Sequence, residues 1–167
     1  MRLIFNQRIY LKFSINLFVL VLVLASQINA QSLQSTSEYQ KKSEKTAAEN
    51  LNNLLNNIQT TVYLEKSTLK TFGEGNARCL RSDIASISML NAQNSAFTNI
   101  EIIEITLAKK GYDKNSSLKG SLTSNFPKLK YLLLKSEFEL GKQEFESIIA
   151  DFKNTNIVLL YEVSIPQ

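Results

Sequence analysis

Histidine is absent from all 167 residues of the chain. Its absence removes Ser-His-Asp and Cys-His activation of a nucleophile, histidine-ligated zinc, and pH switching near neutrality. Cysteine occurs once, at Cys79. A single cysteine excludes an intramolecular disulfide and a multi-cysteine metal site. Cys79 reads first as a small buried apolar residue. The rival reading, a reactive or intermolecular thiol, lacks a histidine base anywhere in the chain. Tryptophan is also missing, so Phe and Tyr supply all the aromatic content. No motif implies a cofactor or a metal.

Acidic side chains are absent from the first thirty residues, which hold Arg2, Arg8 and Lys12. The formal charge of the whole chain is +4; without those three residues, 16 basic side chains stand against 15 acidic ones, or +1. A near-neutral remainder has no electrostatic footprint for nucleic acid, so that partner class is set aside. Hydrophobic residues make up 44% of the chain, enough for one domain with a real core.

Residues 1–30 read as a secretory signal peptide. Arg2, Arg8 and Lys12 form its basic region, Phe13 to Ala25 its apolar run, and Ser26 to Ala30 a more polar tail ending in a small residue. The apolar run falls short of the roughly 20 residues needed to span a bilayer. Cleavage is expected after Ala30, with Ala25 as the second choice and an uncleaved anchor as the rival. The expected product is exported, periplasmic or extracellular, with no membrane span in the mature chain.

Residues 31–46 are almost devoid of apolar side chains and read as a flexible tether. A single domain is expected over 47–167. It opens on an amphipathic helix over 47–58, where Ala47, Leu51, Leu54, Leu55 and Ile58 recur at steps of three and four. Asn52, Asn53, Asn56 and Asn57 are weak helix formers, so packing must hold that helix.

Strand patterns follow at Thr61–Glu65, Ala77–Ser82, Ile100–Leu107, Leu129–Lys135 and Ile157–Val163. Gly73 and Gly75 mark a turn, and 109–115 a loop. Asp83 is placed to cap a short helix over Ile84, Ile87, Met89 and Leu90. A short helix or turn over 117–125 ends at Pro127, and Phe145, Ile148 and Ile149 mark a helix over 142–152. Strands alternating with helices predict an α/β fold with parallel strands, whose near-continuous apolar runs suit a sheet covered on both faces.

The strands also repeat. Ile100, Leu129 and Ile157 head similar segments 29 and 28 residues apart, a spacing typical of repeat architectures. Leu129, Leu132 and Leu134 fit the pattern Leu-x-x-Leu-x-Leu, as do Ile100, Ile103 and Ile105. Ile157 and Leu160 fit two of its three places, with Glu162 at the third. Val62, Leu64, Leu69 and Phe72 follow the spacing from such a strand into the next turn. Over roughly 58–167 the chain therefore resembles leucine-rich-repeat proteins, and is similar to degenerate repeats in exported bacterial proteins. It departs from the family where Ser67, Ala108 and Glu137 stand in place of the asparagine at the bend.

The resemblance implies a short solenoid with Ile103, Ile105, Leu132, Leu134 and Leu160 turned into the core. Strand alternation then places Tyr63, Ile102, Glu104, Tyr131, Leu133, Leu159 and Tyr161 on the other face. In the family that face is concave and binds partners, so the stripe is the candidate protein-binding surface. The competing reading has the stripe covered, by the 47–58 helix or by a second copy of the chain.

Three functions are weighed. The first is an exported, non-catalytic protein-binding module. The second is a self-associating structural envelope protein, a homodimer through the stripe. The third is a histidine-free carboxylate hydrolase. Against the third, Glu101 and Glu104 have opposite strand parity, Glu137, Glu139, Glu144 and Glu146 suit a solvated face, and Asp83 suits a cap. Asn115-Ser116-Ser117 fits a glycosylation acceptor, a pattern frequent by chance.

Overall fold

The computed structural model describes residues 32–108, 117–152 and 155–165. The expected signal peptide, the loop at 109–115 and Asn115 of the acceptor pattern lie outside the described residues.

Seven strands form one sheet: β1 (Gln34–Ser35), β2 (Thr61–Glu65), β3 (Thr68–Phe72), β4 (Cys79–Asp83), β5 (Ile102–Leu107), β6 (Tyr131–Ser136) and β7 (Val158–Val163). Their spatial order is β1-β7-β6-β5-β4-β2-β3. Every neighbouring pair is parallel except β2 and β3, which make an antiparallel hairpin. The α/β class with a mostly parallel sheet is therefore as expected. The helices are α1 (Thr36–Lys42), α2 (Lys45–Asn56) and α3 (Lys142–Ile148), with 3-10 segments at 84–91, 95–97, 120–125 and 150–152.

Register fixes what each face carries. On the first face Val62, Leu80, Ile103, Leu132 and Leu159 stand side by side, then Leu64, Ser82, Ile105, Leu134 and Tyr161. The segments joining β4 to β5, β5 to β6 and β6 to β7 all pack here, through Leu90 and Phe97, Leu122 and Phe126, and Phe145 and Phe152. Phe97 stacks on Phe126 with centroids 4.7 Å apart, which locks two successive connections together. Asp83 caps the 84–91 segment by accepting the Ser86 amide at 2.7 Å. That segment is 3-10 rather than α, in keeping with β-branched Ile84 and Ile87 and with Ser86 and Ser88.

The second face carries Cys79, Ile102 and Tyr131, then Tyr63, Arg81, Glu104, Leu133 and Leu160. It is closed by α1 and α2, whose Tyr39, Leu51 and Leu54 pack on Cys79, Ile102, Tyr131, Leu133 and Leu160. Here the expected tether gives way to order. Ser35 begins a capping box with Glu38, each side chain bonding the other's backbone amide, and so starts α1. From β1 to β2 the chain must cross five strand intervals, about 24 Å at ~4.8 Å each. The seven residues of α1 and twelve of α2 supply about 10 and 18 Å of helix, enough for the crossing.

Helix α2 stops at Asn56, short of the expected end. Ile58 therefore leaves the apolar stripe and is fully exposed. Three carbonyls of its last turn are partnered: Asn53 by the Asn57 amide at 3.3 Å, Leu54 by the Gln59 side chain, Leu55 by Arg81 Nη2 at 3.5 Å.

Two strands escape the sequence patterns. β1 is only two residues long. β3 follows a two-residue turn at Lys66 and Ser67, both with positive φ (48° and 61°), as a type I′ hairpin turn requires. Neither residue is the Asn or Gly that usually announces such a turn. Their amides are held instead by Asp83 Oδ2 at 3.3 Å and Ser86 Oγ at 3.3 Å. At the other end of β3, Gly73 turns with φ 102°, and a Cβ there would meet Thr60 at 2.8–2.9 Å.

Candidate functional site: the open hairpin end of the sheet

The predicted stripe does not survive as an exposed surface. Ile102, Glu104, Tyr131 and Leu133 lie on the second face, all at most 5% exposed beneath α1 and α2. Tyr131 meets Tyr39 edge-on at 5.9 Å and points its hydroxyl at the Ala47 carbonyl, 3.5 Å away. Burial, together with the Tyr39 hydroxyl, raises the pKa of that phenol. The covering reading applies to these four residues, because the amphipathic helix needed an apolar surface to bury its own stripe.

Leu159 and Tyr161 fall on the opposite face from the one expected. Ile102 pairs with Tyr131 at a spacing of 29, but Tyr131 pairs with Val158 at a spacing of 27. The motif alignment of Leu129 with Ile157 assumes 28, and an odd error inverts a strand. Leu159 is buried in the first-face core, Tyr161 packs on Phe145 at 5.0 Å, and Leu160 belongs under α1 and α2.

Glu104 is the buried carboxylate of the second face. Arg81 Nε donates to its Oε1 at 2.9 Å, and Cys79 Sγ lies 3.4 Å from the same oxygen. Arg81 also reaches the Tyr63 hydroxyl at 3.3 Å and the end of α2, so one guanidinium ties helix to sheet. Burial works against the charge on Arg81, but Glu104 outweighs it and the pKa is raised. Burial, then Glu104, push the Cys79 thiol up to about 12. Such a thiol is a poor nucleophile.

Glu101, just before β5, is held by Arg78 Nε at 2.6 Å and Lys130 Nζ at 2.8 Å. Its pKa is lowered, first by the Arg78 hydrogen bond. Of the carboxylates weighed for hydrolysis, Glu104 is thus engaged by Arg81 and Glu101 by Arg78 and Lys130. Among the described residues no group of three or more His, Cys, Asp or Glu could hold a metal ion, and no helix is long and apolar enough to cross a membrane.

Tyr63 and Tyr161 are the members of the stripe that stay half-exposed, and of the two Tyr63 keeps the expected face. The helices stop short of the hairpin, and its second face forms a groove of about 400 Å³ lined by Tyr63, Glu65, Lys66, Thr68, Lys70 and Phe72. Phe72 is 58% exposed and packs edge-on against Tyr63 at 5.4 Å. Lys66 and Lys70 form no ion pair among the described residues. β3 is also a sheet edge, with β2 as its one neighbour among the described strands. Sequence reasoning missed Lys70 and Phe72 because it read Leu69 and Phe72 as a repeat's turn. The alternation Leu69, Thr71 against Thr68, Lys70, Phe72 is the signal that was there to find.

Comparison with protein-family models, with curated proteins and with solved structures gives no match.

Proposed function

We propose that this chain is an exported, non-catalytic protein-binding module of leucine-rich-repeat-like type, with its contact surface at the hairpin end. Export rests on the basic, apolar, polar order of residues 1–30. The repeat-like reading is supported by β2, β4, β5, β6 and β7, which are parallel and lie in chain order, with the segments joining β4 through β7 on one face. In this reading α1 and α2 occupy the face on which the family binds its partners. Binding moves to what they leave open.

The observation that carries the proposal is the exposed Phe72 beside Tyr63, on a strand whose outer edge pairs with no other described strand. Exposed aromatics at a groove are frequent anchors of protein interfaces. A photo-crosslinking amino acid at position 72, in cells producing the chain, tests it. The expected result is a discrete adduct with a different protein, absent when the same group replaces exposed Glu137. An adduct between two copies of this chain would favour the self-associating envelope protein. No adduct at 72 would sink both.

A further inference from the structure

β3 offers more than an apolar patch. Its hairpin closes through a two-residue turn, with Glu65 opposite Thr68, Tyr63 opposite Lys70 and Thr61 opposite Phe72. In such a hairpin these pairs exchange hydrogen bonds with each other, and the residues between them turn their N–H and C=O groups outward. Leu69 and Thr71 therefore present two donors and two acceptors along a free edge, and no described strand takes them. On the groove side of the same edge stand Lys70 and Phe72, two residues apart.

We propose that the β3 edge takes up an extended peptide strand with an acidic residue opposite Lys70 and an apolar residue opposite Phe72. The inference rests on the reading of the chain as a protein-binding module and names its partner class. Main-chain bonds to Leu69 and Thr71 hold the strand, and alternate side chains set its identity. Charge selects the occupant. Lys66 and Lys70 line the groove against the single carboxylate of Glu65, and neither lysine has a partner of its own among the described residues. A second copy of this chain is the weaker occupant. Two-fold pairing centred on β3 sets Lys70 against Lys70, and a central lysine is a common guard against edge-to-edge association. An acidic strand turns that guard into an attraction.

A random eight-residue peptide library selected on the immobilised protein is the probe. Enriched peptides should carry Asp or Glu two positions from an aliphatic or aromatic residue. Lys70→Glu should weaken them about tenfold or more, and peptides with Lys in place of the acid should regain the loss on that variant. Thr71→Pro removes one outward N–H without touching the bonds to β2, and should weaken binding by a similar factor. Its thermal melt, compared with that of the parent, separates this loss from unfolding, and the charge swap carries the test if the proline variant fails to fold. No enrichment, or peptides indifferent to both changes, would overturn strand addition. If such indifference accompanies a heteromeric adduct at position 72, the binding-module reading stands and this inference alone falls. Peptides that bind as described with no adduct at 72 would support the edge site and defeat the functional reading.

Discussion

Tyr131 and Leu132 are neighbours in sequence that β6 sends to opposite faces, and the structure buries both, at 4% and 2% exposure. Had the second face been open, Tyr131→Ala would change stability by less than about 1 kcal/mol, as surface changes do. Under α1 it should behave as a core truncation. Losing a buried aromatic ring costs about 3–5 kcal/mol, and Leu132→Ala about 2–5. The edge-on contact with Tyr39 accounts for some of the first figure, on the order of 1 kcal/mol. The hydroxyl adds no more than about 1 kcal/mol, through a long 3.5 Å approach to the Ala47 carbonyl and the neighbouring Tyr39 hydroxyl. Tyr131→Phe should therefore lie within about 1 kcal/mol of the parent. A small domain has roughly 5–15 kcal/mol in hand, so both alanine variants should melt early in urea, with similar midpoints and an unchanged slope. A loss below about 1 kcal/mol for Tyr131→Ala, beside a large one for Leu132→Ala, would mean that the helices do not cover the sheet.

Three further outcomes follow from the same geometry. Ser67→Gly should raise stability by about 0.5–1 kcal/mol, since glycine takes the positive φ without strain and the amide bond to Ser86 remains; an unchanged or lower urea midpoint would count against a strained turn. Arg81→Ala leaves Glu104 without its cation and should cost about 2–3 kcal/mol, less than the ~3–5 of a fully buried pair because Arg81 is 40% exposed; replacing both with Met and Leu should recover most of it, and strict additivity would refute the coupling. Glu101 has its pKa depressed below the ordinary 4.5, so its stabilising effect is present above that pH and lost as pH falls through the folded value. Acid melts of Glu101→Gln should therefore lose less stability than the parent between about pH 5 and 3, and parallel curves would refute it.

How legible this molecule was depended on how strongly each residue's neighbours constrain it. β6 is apolar on both sides from Leu132 to Leu134, and β5 is so from Ile102 to Ile105 but for Glu104; they could hardly have been anything but central strands. The same feature argued for a sheet covered twice, which the repeat motif overrode in assigning an open face. The motif scores three positions per strand, so it cannot detect that β7 has slipped by one residue. Leu159 and Tyr161 were misplaced for that reason alone. The order in 32–46 was legible only as a cap, Ser35 with Glu38. Tyr39 is the single apolar residue between Leu33 and Ala47, too little for periodicity to register. β3 was hidden by its turn, where Lys66 and Ser67 adopt a conformation their side chains do not advertise and Asp83, seventeen residues away in sequence, supplies the anchor.

Cys79 is a built-in reporter for the central claim, that α1 and α2 close the second face and leave only its hairpin end for a partner. It is the one thiol in the chain, fully buried beside Leu51 and Leu54. The direct measurement is the rate at which a thiol reagent modifies it at fixed pH, in native buffer and in urea. If the helices cover it, native modification must wait for them to open. It should then be on the order of 1000-fold slower than in urea, the factor that ~4 kcal/mol of opening free energy sets, and faster in Leu54→Ala. Modification of the native protein at nearly the urea rate, unaffected by Leu54→Ala, would contradict the account.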